Sequence, residues 1–272
     1  MDDSKEQKEN YFQQQVDALQ YELTATKEKL AAAIKQQEEF IYVAAHDLQS
    51  PIRKLNLYID KLVEKNKDVL TPDSLFYIER IKLLGKQMTS LVEDLSTLAD
   101  LKKEIQLQHC DLNNILQNAI EEIKTRGEHT ITIENKLPVV KGDALLLKDL
   151  FAQLLSNAVI FKKEDVPLQI TINATQLSSE ETDQLQLDND TAYHKIIIAD
   201  NGQGFEQEYS LQIFQPFYKL QGNAVHKGSG MGLAICRLIA ERHSGTIYAK
   251  GEKNFGAQFI LILPVIKYTY GA

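Results

Sequence analysis

The sequence predicts two long helices followed by a two-layer α/β sandwich, and three observations lead to this prediction. In the first hundred residues, apolar side chains recur three and four positions apart, which is the spacing of amphipathic helices. Beyond them, short runs with strand-like alternation are interspersed with helical patterns. With 272 residues, of which 43% are hydrophobic, the chain is long enough for two modest domains with buried cores.

Residues 1–35 have the composition of a coiled-coil signalling helix, rich in Glu, Lys, Gln and Ala and free of Pro and Gly. A heptad seam runs along this segment through Phe12, Val16, Leu19, Leu23, Thr26, Leu30 and Ala33. Because such a helix is stable only against a partner, we expect the chain to form a homodimer. The seam shifts by one residue between Phe40 and Ile41, and we expect this junction to pass rotation or strain onward along the helix.

Residues 36–102 predict a helical hairpin. The first helix continues its apolar seam and ends near Glu64, and the second begins with Thr71 as N-cap and Pro72 in the first helical position. The second seam extends to about Leu101. Since each hairpin has one apolar face without a partner, two chains are expected to close into a four-helix bundle.

His46 lies one residue past a seam position, so its imidazole is predicted to point away from the buried stripe. Asp47 follows directly, and Pro51 lacks the N–H that would bond the carbonyl of Asp47. An exposed imidazole beside a carboxylate and a loosened backbone can accept a chemical group. A solvated surface histidine is the alternative that these residues leave open.

Residues 103–272 predict the sandwich. The helices are expected from an Asp111 cap to about Lys124, from an Asp143 cap to Phe161, and over 232–243. The strands are expected at 105–107, 130–134, 168–174, 193–199, 245–250 and 256–264, with a polar hairpin tip around 178–190.

Three polar clusters in this part of the chain predict a phosphate-bearing ligand. Gln153 and Asn157 share one face of the helix after Asp143 with Asp149, where an amide oxygen can hold hydrated Mg²⁺. The second cluster follows a strand and runs Asp200-Asn-Gly202-Gln-Gly204, where glycines permit a tight turn beside a ligand. An ordinary polar helix face and a simple turn are the alternatives for these two clusters when each is taken alone.

The third cluster, Gly228-Ser-Gly230-Met-Gly232-Leu233, runs into a helix. Glycines before a helix N-terminus leave backbone N–H groups and the helix dipole available to phosphate. The segment is neither a Rossmann fingerprint nor a Walker motif, because no strand directly precedes it and the Lys-Ser/Thr pair is missing.

Together, these stretches resemble two-component sensor histidine kinases. His46-Asp47-Leu-Gln-Ser-Pro51 is similar to the phospho-acceptor box, and the three clusters look like the nucleotide boxes of the histidine-kinase ATPase (Bergerat) fold. The segment Ile213-Phe-Gln-Pro-Phe-Tyr-Lys219 resembles the aromatic box that anchors a mobile lid over about 205–227. The resemblance covers roughly residues 36–265.

The resemblance implies a site for ATP and Mg²⁺ and a kinase that phosphorylates His46. Asn157 would hold the metal, Asp200 would accept a hydrogen bond from the adenine amino group, and Asp47 would orient the imidazole and take its proton. The other expected contacts to nucleotide come from Lys162, Gly202, Gly204, Lys219, Gly228, Gly230, Gly232 and Leu233, with Lys163 as the alternative to Lys162. The sequence departs from the family pattern at Gln153, where Asn is common, and at Ile160, where Lys is common.

The resemblance further implies that the phosphoryl group passes to an aspartate of a response regulator. Ser50 departs from the related phosphatase pattern, so phosphatase activity stays open, as does the choice between transfer within a chain and across the dimer. A dimeric ATPase that couples hydrolysis to conformational change, and a catalytically silent scaffold, are the alternative functions. Each would leave the His46 box without a role in catalysis.

The composition indicates the cellular compartment of the protein and excludes some classes of binding partner. A formal net charge of −8 and the lack of a basic patch argue against nucleic-acid binding. No apolar window is long enough to span a membrane, and the two distant cysteines favour a reducing environment, so we expect a soluble, cytoplasmic protein. A sensor domain is expected upstream in such kinases, and this chain carries none.

Overall fold

The structure, a computed structural model, describes residues 3–67, 69–100, 105–124, 129–220 and 229–265. Within these ranges, the side chains at 3–17, 31, 33–42, 46, 99 and 100 are outside the description. The predictions for the side chain of His46, for Gly228 and for much of the N-terminal seam therefore lie outside the described residues.

The N-terminal half is a helical hairpin of α1 (Asp3–Lys65) and α2 (Pro72–Asp100). The helix α1 runs without interruption through Pro51. The predicted N-cap of α2 is confirmed. The backbone N–H of Ser74 donates to the hydroxyl of Thr71 at 3.2 Å, and Pro72 takes the first helical position.

Within one chain, the hairpin buries only a narrow seam. Ala45, Ile52 and Val92 form its cluster, and Leu95 packs against them. Several apolar residues predicted on the seam are instead exposed in the single chain, namely Leu48, Leu55, Leu62, Leu75, Ile81, Leu84, Met88 and Leu91. This pattern fits helices that have a further apolar surface to cover, and the four-helix bundle of two chains stays a prediction.

The globular half contains four helices and seven strands among the described residues. The helices are α3 (Leu112–Ile123), α4 (Ala144–Ile160), α5 (Ser179–Gln184) and α6 (Gly232–Arg242). The strands are β1 (Gln108–Asp111), β2 (His129–Ile133), β3 (Val139–Gly142), β4 (Leu168–Gln176), β5 (Tyr193–Asp200), β6 (Thr246–Glu252) and β7 (Gly256–Pro264).

Five strands form one mixed sheet in the order β2-β4-β5-β7-β6, in which only β2 and β4 are parallel. Alternate residues of these strands, such as Ile170, Ile198 and Leu261, share one buried cluster with the inner faces of α3, α4 and α6. One face of the sheet is therefore covered by helices, which confirms the predicted two-layer sandwich.

One local prediction was wrong, and another was incomplete. Residues 105–107 are not a strand; the strand β1 starts at Gln108 because it pairs antiparallel with β3, which the sequence analysis missed. The predicted hairpin tip around 178–190 does connect the antiparallel strands β4 and β5, but it also contains the short helix α5, begun by a capping box between Ser178 and Glu181. Lys195 forms an ion pair with Glu181, and this bond is the main reason that the pKa of Glu181 is lowered to about 2.

None of the helices in the described part of the chain combines the length and the apolar character needed to cross a membrane.

Candidate nucleotide-binding site

A cavity of about 760 Å³ lies between the hairpin and the globular half. One wall is a face of α2, and the others come from α4, from the end of β5 with the segment that follows it, and from the start of α6. Among the predicted site residues, it brings together Asn157, Asp200, Gly204, Lys219, Gly230, Gly232 and Leu233.

Helix α4 positions Asn157. The carboxylate of Asp143 caps the helix by accepting the backbone N–H groups of Leu145 and Leu146 at 3.0 and 3.3 Å. The opposite face of α4 is anchored in the core, so Gln153, Ser156 and Asn157 face the cavity. Asp149 does not line the cavity, although it shares their helix face.

Asp200 ends strand β5 with its carboxylate at the cavity. Burial raises the pKa of this carboxyl group above its ordinary value. Hydrogen bonds from the backbone N–H groups of Gly202 and Ala257 and the charge of Lys163 oppose that rise, and the Gly202 bond is 2.8 Å long. The result is a partly desolvated acceptor whose orientation is fixed by backbone donors, which suits the recognition of an amino group.

The turn after Asp200 is tied to the end of α4. The backbone N–H of Gln203 donates to the carbonyl of Phe161 at 2.8 Å, and the Gln203 side-chain amide donates to the carbonyl of Lys162 at 3.2 Å. A Cβ at Gly202 would lie 2.7 Å from the same Phe161 oxygen, so only glycine allows this approach. Gly202 therefore supports Asp200 rather than lining the cavity itself.

Asn201 has a structural role in the same turn. Its side chain accepts the backbone N–H of Gln169 at 2.9 Å and donates to the carbonyl of Pro167 at 3.0 Å. These two bonds hold the turn against the start of β4, which fixes where the carboxylate of Asp200 can point.

The loop that leads into α6 approaches the cavity with its backbone. Gly230 has a φ of +82°, and a Cβ there would lie 2.9 Å from the carbonyl carbon of Phe217. The hydroxyl of Ser229 accepts the backbone N–H of Met231 at 3.0 Å. Since α6 begins at Gly232, its first N–H groups and its dipole are directed at this end of the cavity, which is the arrangement that binds phosphate.

The two residues that depart from the family pattern, Gln153 and Ile160, both face the cavity. Ile160 lines it, and Gln153 lies against the start of α6, where its side-chain oxygen is 2.8 Å from the Cβ position of Gly232. The predicted cation Lys162 is not among the lining residues. Within the described part of the chain, the lining lysines are Lys219 and Lys86, and Lys86 comes from α2.

Sequence reasoning missed the whole α2 wall, which consists of Leu83, Lys86, Gln87, Ser90 and Asp94. These residues share one helix face at spacings of three and four. In the sequence they resemble a solvated polar flank, because periodicity identifies the bundle seam but does not indicate what a polar face meets.

Comparisons with known proteins show which family this part of the chain resembles. Residues 142–267 match the sequence model of the family described as histidine kinase-, DNA gyrase B-, and HSP90-like ATPase. Cyanobacterial phytochrome A of a Nostoc species is 30% identical over 252 residues, which are 90% of this chain and 30% of that protein. The adaptive-response sensory kinase SasA of Gloeothece citriformis is 27% identical over 91% of this chain and 62% of its own length.

The fold is also similar to that of a solved structure. A crystal structure of full-length ShkA in complex with AMPPNP superposes with a TM-score of 0.60 at 21% identity, covering 83% of this chain and 45% of that one. At this identity the likeness concerns the fold alone. The chain spans between about a third and two thirds of the length of the curated relatives described above.

A helical hairpin, a mixed sheet and a glycine-lined cavity between them define the class of two-component sensor histidine kinase cores. Residues 142–267 match the histidine kinase-, gyrase B- and HSP90-like ATPase family, and over most of its length the chain is similar to sensor histidine kinases.

Proposed function

We propose that this chain binds ATP in the cavity and transfers the terminal phosphoryl group to His46. The observation that carries the proposal is that one cavity is lined by Asn157, Asp200 and Gly230 from the globular half and by α2 of the hairpin. The acceptor helix α1 packs against α2, so the nucleotide site and the helix that carries His46 belong to one assembly. The proposed domain limits remain 1–35, 36–102 and 103–272.

The two ends of the cavity suit the two ends of ATP. Asp200 offers a carboxylate held by backbone N–H groups, which suits the adenine amino group, and the apolar side chains Phe161, Phe205 and Ile213 suit the ring. The loop with Gly230 and the start of α6 offer N–H groups to the phosphates, and Lys219 adds a positive charge. Gly202, Gly204, Gly232 and Leu233 shape these contacts, while Lys162 and Gly228 remain proposed contacts.

The donor set fits Mg²⁺. Within the described residues, no group of three or more His, Cys, Asp or Glu side chains converges on a metal position. Mg²⁺ is commonly held by one or two protein oxygens together with phosphate oxygens and water, so a single amide oxygen from Asn157 is sufficient. When bound, the metal would spread the negative charge of the phosphates during transfer.

The transfer itself needs little covalent chemistry from the protein. A neutral ring nitrogen of His46 attacks the terminal phosphorus, the new N–P bond forms as the bond to the bridging oxygen breaks, and ADP leaves with that electron pair. The proton displaced from the imidazole passes to Asp47, which follows His46 on the helix. The phosphoryl group then passes to an aspartate of a response-regulator partner, and the kinase works as a homodimer.

Incubation with γ-labelled ATP tests this function, with His46→Gln as the test variant and His109→Gln, at an exposed histidine on β1, as the matched control. Wild type and the control should carry acid-labile, alkali-stable label, and His46→Gln should carry none. Release of free phosphate without protein label would support an ATPase instead, and neither signal would support a silent scaffold.

A further inference from the structure

The α2 wall carries two opposite charges along the cavity. Lys86 and Asp94 are eight residues apart on one face, so they lie about 12 Å apart along the helix axis. Asp94 is half-buried, and the end of α2 beyond it is anchored, because Leu98 packs against the core of the globular half.

Asp94 contacts the glycine loop directly. Both residues line the cavity. Burial raises the pKa of the Asp94 carboxyl group, and the Ser229 hydroxyl opposes that rise as a hydrogen-bond donor. That hydroxyl also accepts the N–H of Met231 at 3.0 Å, one residue before α6 begins. Asp94 therefore lies at the same group of backbone donors that a nucleotide's phosphates would approach.

We propose that Asp94 determines which nucleotide this docked arrangement accepts: its carboxylate, held by Ser229, disfavours ATP relative to ADP and adenosine. The inference rests on the proposed function, since it assumes that adenine nucleotides occupy this cavity. Because Asp94 is on the hairpin and Ser229 is on the globular half, the discrimination exists only while α2 covers the cavity.

The physical basis is repulsion between like charges in a partly desolvated site. Negative charge on the ligand increases from adenosine to ADP to ATP. Each added charge makes the free energy of binding beside the fixed carboxylate less favourable. By linkage, the same coupling makes ATP weaken the contact between α2 and the loop. ATP entry thus favours release of the hairpin face more strongly than ADP entry does.

The full chain with Asp94→Asn tests the proposal in the presence of Mg²⁺. Asparagine keeps an oxygen that can accept the Ser229 hydrogen bond but removes the charge, so the fold should be retained. Glu93→Gln is the matched control, because it removes the same charge from the adjacent exposed position, which does not line the cavity. Calorimetric titration with adenosine, ADP and ATP gives the three affinities.

We expect Asp94→Asn to raise the affinity for ATP about fivefold, that for ADP less and that for adenosine not at all, with Glu93→Gln close to wild type. An equal change for all three ligands, an equal effect of Glu93→Gln, or no change would overturn the proposal. A loss of ATP affinity would overturn it too, because it would place Asp94 on the metal side of the site. If neither wild type nor Asp94→Asn bound ATP, the proposed function itself would fail.

Discussion

His243 joins the end of α6 to the start of α4. Its side chain is 3% exposed, its Nδ1 lies 2.7 Å from the carbonyl oxygen of Ile239, and its Nε2 accepts the backbone N–H of Asp143 at 2.9 Å. This pattern requires a neutral ring that carries its proton on Nδ1. Asp143 caps the helix that presents Asn157, so a buried imidazole indirectly supports the proposed nucleotide site.

Burial lowers the pKa of His243 below its ordinary value of 6.5, and the charge of Arg242 acts in the same direction. The carbonyl of Ile239 and the charge of Asp143 oppose this shift. Below about pH 6.5 the unfolded chain therefore binds more protons than the folded one, so stability falls as the pH drops through that value and is fully present above it.

We expect His243→Gln to lower the free energy of local unfolding at the α4–α6 junction by about 1–3 kcal/mol at pH 8. Between pH 7 and pH 5 the variant should lose less of this stability than wild type, because the titrating imidazole is gone. Amide hydrogen exchange of residues 144–160 and 232–242 measures both effects. His109→Gln is the control and should match wild type at pH 8. Parallel pH dependences for wild type and His243→Gln would show that the imidazole is not the titrating group.

At the scale of elements, the site depends on short connections between helices and strands. The end of α4 holds the turn after β5 through Phe161, and the segment at Phe217 and Tyr218 contacts Gly230 ahead of α6. Tyr218 is itself fixed by a hydrogen bond that its hydroxyl donates to Gln212 at 3.1 Å. The turn after β5 and the loop before α6 are thus positioned by two different neighbouring segments.

Gly230→Ala should disturb the glycine loop. Its left-handed φ and the 2.9 Å approach of a Cβ to Phe217 would both be unfavourable, at a combined cost of about 1–3 kcal/mol. We expect about a tenfold or larger loss of ATP affinity, measured by calorimetric titration. The control is Gln215→Ala, at an exposed position two residues before Phe217, and its ATP affinity should stay close to that of wild type. Wild-type affinity in Gly230→Ala would contradict the proposed contact between this loop and phosphate.

At the scale of the whole molecule, the hairpin has an uncovered apolar groove. Pro51, Lys54, Leu55, Tyr58, Ile59, Leu62, Ile78 and Ile81 line it, and nearly all of the lining is apolar. A groove of this kind beside a heptad-like helix is what the proposed four-helix bundle would cover.

Leu55→Asp and Leu57→Asp form a matched pair for testing the bundle. The two leucines are 43% and 49% exposed in the single chain, but only Leu55 lines the groove. We expect Leu55→Asp to shift the chain toward monomer at micromolar concentration in sedimentation analysis, since it would bury a charge, while Leu57→Asp remains dimeric. If both variants sediment like wild type, the groove is not the dimer interface.

Much of the fold and part of the site could be predicted because the determining signals are local. Thr71 and Asp143 cap helices through bonds to residues two or three positions away, and alternation marks β4 and β5. The predicted residues Asn157, Asp200 and Gly230 do line one cavity. The strand β3 was missed because its four residues carry no pattern without β1 as a partner.

The sequence by itself determined most of the helix and strand boundaries to within a few residues and the three polar clusters that resemble a kinase. Only the tertiary structure decided which distant residues meet, such as His243 with Asp143, one hundred positions apart, and Asp94 with Ser229. The physical reason is that caps and periodicity act over one or two turns of chain, whereas burial is nondirectional. A polar helix face becomes part of a site only when packing brings another element against it.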